Sequence, residues 1–221
     1  MNDEILLIDK PDGVTSFGVV ARVRRVLREK AGHKVKVGHT GTLDPFATGL
    51  LILLVGKGTK RANEFLKLDK KYEATVRLGA TSTTGDPEGE IIEQRVENVP
   101  SRERMEEVVR SFVGEITQRV PNFSAVKING QRAYKLAREG KEVEMPTRQV
   151  QIYSIEIIDY VWPELKIACH VSSGIYIRTL GEDIGEKLGV GGYLTALRRT
   201  EVGNYKVEDV VRLADFMEEM E

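Results

Sequence analysis

The stretch Gly38–Leu51, GHTGTLDPFATGLL, sets a single aspartate among glycines and a proline, directly before an apolar segment. Gly38 and Gly41 ahead of Asp44, and Pro45 after it, describe a constrained loop whose backbone can approach a ligand closely. The residues that follow, Leu50 to Val55, are continuously hydrophobic and read as a buried strand that anchors the loop. An acid on a loop held by a rigid element is a common position for chemistry. Asp-Pro pairs also start ordinary turns, so Asp44 taken alone leaves both readings open.

Working outward, Thr15 or Ser16 can cap a helix whose Val19, Val20, Val23, Val26 and Leu27 form one apolar stripe, with Gly32 just past its end. After the strand, Thr59 to Leu68 reads as a short helix and Tyr72 to Leu78 alternates as a strand. Residues 80 to 98, rich in Thr, Gly, Asp and Glu, read as an exposed acidic connection. Ser101 opens a helix with Met105, Val108, Val109 and Phe112 on one side, stopped by Gly114. Gln131 to Glu139 is expected to be helical, and Val150–Ile158 and Leu165–Val171 to pair as strands around Trp162-Pro163. Ile177, Leu180, Ile184 and Leu188 recur at helical spacing, and a last helix is expected over Val207 to Met217. Strands and helices without regular βαβ alternation predict an α+β domain rather than a doubly wound one.

A chain of 221 residues with 41% hydrophobic composition can bury a substantial core. The single Cys169 makes no intramolecular disulfide, the amino-terminal residues lack a signal-peptide pattern, and no apolar run is long enough to span a bilayer; a soluble cytoplasmic protein is expected. The net charge of -1 conceals a division: residues 1–80 carry 15 Lys and Arg against 9 Asp and Glu, the remainder 18 against 25. Arg22, Arg24, Arg25, Arg28, Lys30, Lys34 and Lys36 precede the loop, and Lys57, Lys60, Arg61, Lys67, Lys70 and Lys71 follow it. These cations fit a phosphate-facing surface, and equally a solvated helix face.

His33, His39 and His170 lack the spacing of a zinc site, so no metal is expected. Walker and dinucleotide glycine loops are absent, so no nucleotide cofactor is expected either, and there is no GxSxG elbow. What remains is a carboxylate acting without a cofactor. In VSSGIYIRTLGEDIG, Arg178 lies among apolar residues where a helix opens, and an arginine buried there needs an anion. Asp44 would supply it and be held ionised in return; a structural ion pair between other elements is the other reading.

The chain resembles the TruB family of tRNA pseudouridine synthases over nearly its whole length. Lys10, Pro11, Gly13, Thr15 and Ser16 match the family's KPxGxTS, Gly38–Leu51 its catalytic loop, and Lys71-Tyr72 the strand after it. PNFSAVKINGQRAYKLAREG resembles PPxYSAxKxxGxxxYxxAR, GIYIRTLGEDIG resembles GxYIRxLxxDIG, and LRRTEVG matches the final signature. Asn122 and Phe123 stand where the family often has proline and tyrosine.

The resemblance implies a pseudouridine synthase fold, a mixed and largely antiparallel sheet flanked by helices around a catalytic cleft. It implies that a T-loop uridine of tRNA (position 55) is flipped out, its glycosidic bond broken and the base rejoined through carbon, with no cofactor and no metal. Asp44 is then the catalytic carboxylate, ionised at neutral pH with an ordinary pKa near ~3.9, and Arg178 its partner. Attack at C1′, attack at C6 and removal of a ribose proton all employ that charge. By the same resemblance His39 fills the space left in the RNA stack, and Tyr72 stacks on the flipped uracil and accepts the C5 proton. Tyr176 and Leu197 line the uracil pocket, Arg198 and Arg199 meet phosphates, and Lys10 belongs to the substrate-binding set. The family's PUA module is not expected within residues 1–221, which read as one catalytic domain. A monomer acting on the T-arm without an obligatory protein partner is expected; the alternatives are a guide-RNA-dependent synthase and a non-catalytic tRNA-folding module.

Overall fold

The computed structural model describes residues 4–124, 126–128, 130–140 and 143–220. Strand β1 (Ile5–Lys10) leads to helix α1 (Ser16–Ala31), then β2 (Val37–His39), β3 (Thr48–Val55), a 3-10 segment (Gly56–Arg61), α2 (Ala62–Leu66) and β4 (Lys70–Leu78). Next come β5 (Ala80–Ser82), β6 (Ile91–Glu93), α3 (Arg102–Arg110), β7 (Gly114–Arg119), β8 (Lys127–Ile128), β9 (Gln131–Arg132) and α4 (Ala133–Arg138). β10 (Thr147–Val161), β11 (Glu164–Val171), α5 (Ile177–Leu188), β12 (Gly192–Val202), β13 (Tyr205–Lys206), β14 (Val211–Arg212) and α6 (Leu213–Glu219) complete the chain. The fold is α+β, with mixed and mostly antiparallel strand pairing. It divides into two compact units, Met1–Glu73 with Ala196–Glu221, and Ala74–Thr195.

In the first unit the strand order is β14-β1-β3-β12, with β2 also on β3 and β13 on β12. β3 runs antiparallel to β1 and parallel to β12, where Thr48 and Gly49 face Arg198 and Arg199. Its continuous hydrophobicity has a direct cause: both faces are covered, so neither set of alternating side chains meets water. Leu51, Leu53 and Val55 pack with Val19, Val20, Val23 and Leu27 of α1 and with Leu213 and Phe216 of α6. Leu50, Ile52 and Leu54 pack with Phe65 and Val202. Each buried leucine or isoleucine contributes about 1.5–3 kcal/mol, so β3 is a rigid base for the loop before it. Gly49 sits at φ +99, and a Cβ there would come within 2.3 Å of the Arg199 carbonyl oxygen; the parallel pairing at the loop's end requires glycine.

α1 is capped as expected, by the Thr15 side chain accepting from the Gly18 amide at 2.9 Å and by left-handed Gly32. The carboxy-terminal expectation is corrected: Val207–Asp209 is a 3-10 turn, Val211 and Arg212 pair in parallel with β1, and the helix begins only at Leu213. β-branched valines at 207, 210 and 211 mimic a helical stripe while favouring extended backbone.

The second unit orders its strands β4-β11-β10-β7, with α3 packed on α5 and on β10. β10 and β11 form the expected hairpin about Trp162-Pro163, Ile152 to Val161 opposing Val171 to Glu164. Three local expectations change. α3 ends at Arg110, closed by the Ser111 hydroxyl donating to the Val108 carbonyl at 2.6 Å, and Gly114 opens β7 instead of stopping the helix. Gln131 and Arg132 are extended ahead of a helix that begins at Ala133. The 80–98 connection carries two strands and turns Asp86 into the interior.

Candidate active site

In the first unit the Asp44 loop is fastened on both sides of the acid. Ser16, freed from capping by Thr15, accepts from the Leu43 amide at 2.8 Å and donates to the Leu43 carbonyl at 2.9 Å. Beyond the acid, the Pro45 carbonyl accepts from the Gly13 amide and from Lys10 Nζ, each at 2.9 Å. Lys10, 0% exposed, also donates to the Pro11 and Val14 carbonyls. Arg199, 3% exposed on β12, donates to the Gly41 carbonyl at 3.2 Å and the Leu50 carbonyl at 2.8 Å. The turn closes from the Ala47 amide to the Asp44 carbonyl at 3.1 Å, leaving Asp44 half-buried. Buried side-chain donors thus replace the regular backbone ladder that a loop lacks.

His39 ends β2, its Nδ1 accepting from the Gly41 amide at 3.4 Å. Burial, then the Arg199 charge, lowers its pKa, so the ring is neutral at pH 7. Tyr72 is half-buried in β4, and Leu197 is buried in β12. Arg198 grips Asp9 with both Nη atoms at 3.1 and 2.9 Å and reaches the Thr48 hydroxyl. The expected basic surface is thinner than the residue count implies. Arg61 pairs with Glu64 and Lys71 with Glu201. Lys70 is buried on the Leu66 and Leu68 carbonyls, with a pKa pushed down to about 8 by burial and then by Arg199.

In the second unit Arg178, 4% exposed, does have an anion. Its Nη1 lies 3.0 Å from Asp86 Oδ2 and 2.8 Å from the Thr84 carbonyl, and its Nη2 2.8 Å from the Phe123 carbonyl. Asp86 is itself 3% exposed and accepts at Oδ1 from the Thr84 hydroxyl at 2.5 Å and the Glu88 amide at 3.0 Å. Sequence reading missed Asp86, because an acid in an acidic, glycine-rich stretch looks solvated; its Thr-Thr-Gly-Asp setting, a tight Asx-type turn, is the signal that could have marked it. One turn further along α5, burial raises the Glu182 carboxyl to about 7, Arg178 opposing and Asp183 and Asp86 reinforcing the rise. Tyr176 precedes α5 and is held by Gln118, which accepts from its amide at 2.8 Å and donates to its carbonyl at 3.0 Å. The Arg148 guanidinium covers the Tyr176 ring at 5.5 Å. Gln118, 1% exposed, is a second positioning residue that alternation along a strand could not single out.

Within the first unit, a carboxylate on a fastened loop stands with buried cations and a histidine of lowered pKa, an arrangement suited to an anionic substrate. Residues 24–177 match the family described as TruB family pseudouridylate synthase (N terminal domain), and residues 178–221 match the tRNA pseudouridylate synthase B C-terminal domain. The chain belongs to the TruB family of pseudouridylate synthases. It is 44% identical to the tRNA pseudouridine synthase B of Aquifex aeolicus, over 97% of this chain and 74% of that protein. It is 46% identical to that of Phocaeicola vulgatus, over 97% and 92%. Among solved structures, a chain of a Cbf5-Nop10-Gar1 complex superimposes with a TM-score of 0.74 at 31% identity, covering 97% of this chain and 53% of that one. A chain of an H/ACA RNP bound to a substrate RNA containing 2′-deoxyuridine gives 0.71 at 28%, covering 97% and 52%.

Proposed function

We propose that the chain is a stand-alone tRNA pseudouridine synthase that isomerises the T-loop uridine at position 55, with residues 1–221 acting as one catalytic domain. The observation that carries this is the Asp44 loop, locked before and after the acid by Ser16, Lys10 and Arg199 in a chain whose full-length relatives bear that name. Extruding the uridine costs a few kcal/mol of stacking. His39, neutral and at the loop's start, fills the vacated space, and Tyr72 stacks on the flipped uracil and takes up the C5 proton. Asp44 acts on the ribose or the base as an ionised carboxylate, and Arg178 is its electrostatic partner. Tyr176 and Leu197 line the uracil pocket, and Arg198, paired with Asp9, meets the RNA backbone with its remaining donors. Lys10 and Arg199, whose donors are engaged with carbonyls of and around the loop, serve the substrate by aiming Asp44.

An isomerisation consumes no second substrate, so the reading requires neither metal nor nucleotide cofactor. It also places the protein in the cytoplasm as a monomer without an obligatory protein partner; no helix among the described residues is long and apolar enough to cross a membrane. The guide-RNA-dependent alternative has the Cbf5 likeness behind it, but identities of 44% and 46% to tRNA enzymes exceed the 31% and 28% to those complexes. Incubating the purified protein with unmodified tRNA, without guide RNA, added protein or added metal, decides between them. Site-resolved detection is expected to find pseudouridine at position 55 alone, and an unmodified T-loop would reject the proposal.

A further inference from the structure

A groove of about 600 Å³ opens in the first unit among the end of β1, α1, β12 and α6. Pro11, Leu213, Ala214 and Met217 give it an apolar floor, and Arg22, Arg25, Arg198 and Arg212 stand around it. Two of these arginines are already occupied, Arg198 by Asp9 and Arg212 by Asp215 at 2.7 Å. Arg22 and Arg25, one helical turn apart on the exposed face of α1, have no acidic partner among the described residues. The groove therefore offers two guanidinium forks without an acidic partner among the described residues, beside an apolar floor.

We propose that this groove seats one single-stranded nucleotide of the substrate RNA, with its phosphate between Arg22 and Arg25 and its base on Pro11, Ala214 and Met217. The assignment rests on the tRNA-modifying function proposed above. Three observations choose a nucleotide over an acidic protein segment. The volume suits a compact ligand better than a long amphipathic helix. The apolar floor accepts the face of any base, which an acidic side chain does not offer, while the arginine forks take a phosphate as readily as a carboxylate. The groove's walls also include Lys10, Thr48 and the Asp9–Arg198 ion pair, and Lys10 holds the carbonyl of Pro45 next to Asp44. RNA engaged at the Asp44 loop thus runs beside a second built-in receptor, which would hold the strand while the uridine is turned out.

The test uses the full chain, unmodified tRNA and an acidic Glu/Leu peptide as the competing ligand. In Arg22→Gln/Arg25→Gln, Kd for tRNA is expected to rise about tenfold at moderate salt, and the slope of log affinity against log salt to fall by roughly one to two. Ala214→Glu, which places a carboxylate at the mouth of the groove, is expected to raise Kd similarly. Thermal melting within a few degrees of wild type shows that these exposed substitutions leave the fold intact. Unchanged Kd and salt slope in both variants would overturn the groove assignment, as would saturable peptide binding lost in Ala214→Glu while tRNA affinity stays the same. Failure of the wild-type protein to modify tRNA would instead strike the proposed reaction, since Kd is read without turnover.

Discussion

Two buried arginines, one in each unit, do opposite work. Arg178 closes an ion pair with Asp86 and takes two carbonyls besides, so within its unit the charge is compensated and the guanidinium stiffens the start of α5. Arg199 has no carboxylate partner among the described residues; it holds the Gly41 and Leu50 carbonyls and projects its charge onto its neighbours, lowering the pKa of both His39 and Lys70. Within its unit, the first arrangement fixes geometry around an ion pair. The second fixes a loop and keeps the surroundings of Asp44 electropositive, which suits a polyanionic substrate.

The contrast is broken most severely at Arg178. Arg178→Met leaves Asp86 buried without its counter-charge, and a loss of about 3–5 kcal/mol is expected in urea unfolding. Arg199→Met strands carbonyls but no carboxylate, so about 1–3 kcal/mol is expected. In the same variant the His39 pKa should rise, because a lowering charge is gone, and an NMR titration of that ring reads it directly. Equal losses from the two substitutions, or an unmoved His39, would erase the distinction. The smallest effect concerns Glu182, whose folded pKa of about 7 lies above the ordinary 4.5. Between those values the unfolded chain releases a proton that the folded one retains, so stability declines as pH rises through that window and stays reduced above it. Glu182→Gln has no proton to lose. Its melting temperature relative to wild type should therefore climb by a few degrees from pH 4.5 to pH 7.5, whereas a constant difference would mean that Arg178 keeps the carboxyl ionised throughout.

The loop and β3 were legible in the sequence because covering both faces of a strand leaves an unbroken apolar run, and α1 because Thr15 and Gly32 punctuate one stripe. Arg178 was legible as an arginine in need of an anion, but its partner within the unit was not. Asp86 lies 92 positions away, and nothing local separates an acid folded inward from one left in water. Gln118 escaped for the same reason, since its clamp on Tyr176 spans 58 positions. The carboxy-terminal valines misled because stripe spacing cannot tell a helix from alternating turn and strand when β-branched residues supply it. Lys10 could be named from the motif, yet its complete burial and its bonds to three carbonyls follow only from the way β1 delivers it beneath the loop.

Everything proposed for the reaction converges on the side chain at position 44. Asp44→Asn keeps the size and the turn while removing the charge, so tRNA binding should stay within about threefold of wild type and the melting temperature within a few degrees. Single-turnover formation of pseudouridine at position 55, measured on saturating unmodified tRNA, should fall by about 10³-fold or more. A variant that forms pseudouridine at the wild-type rate would contradict the account.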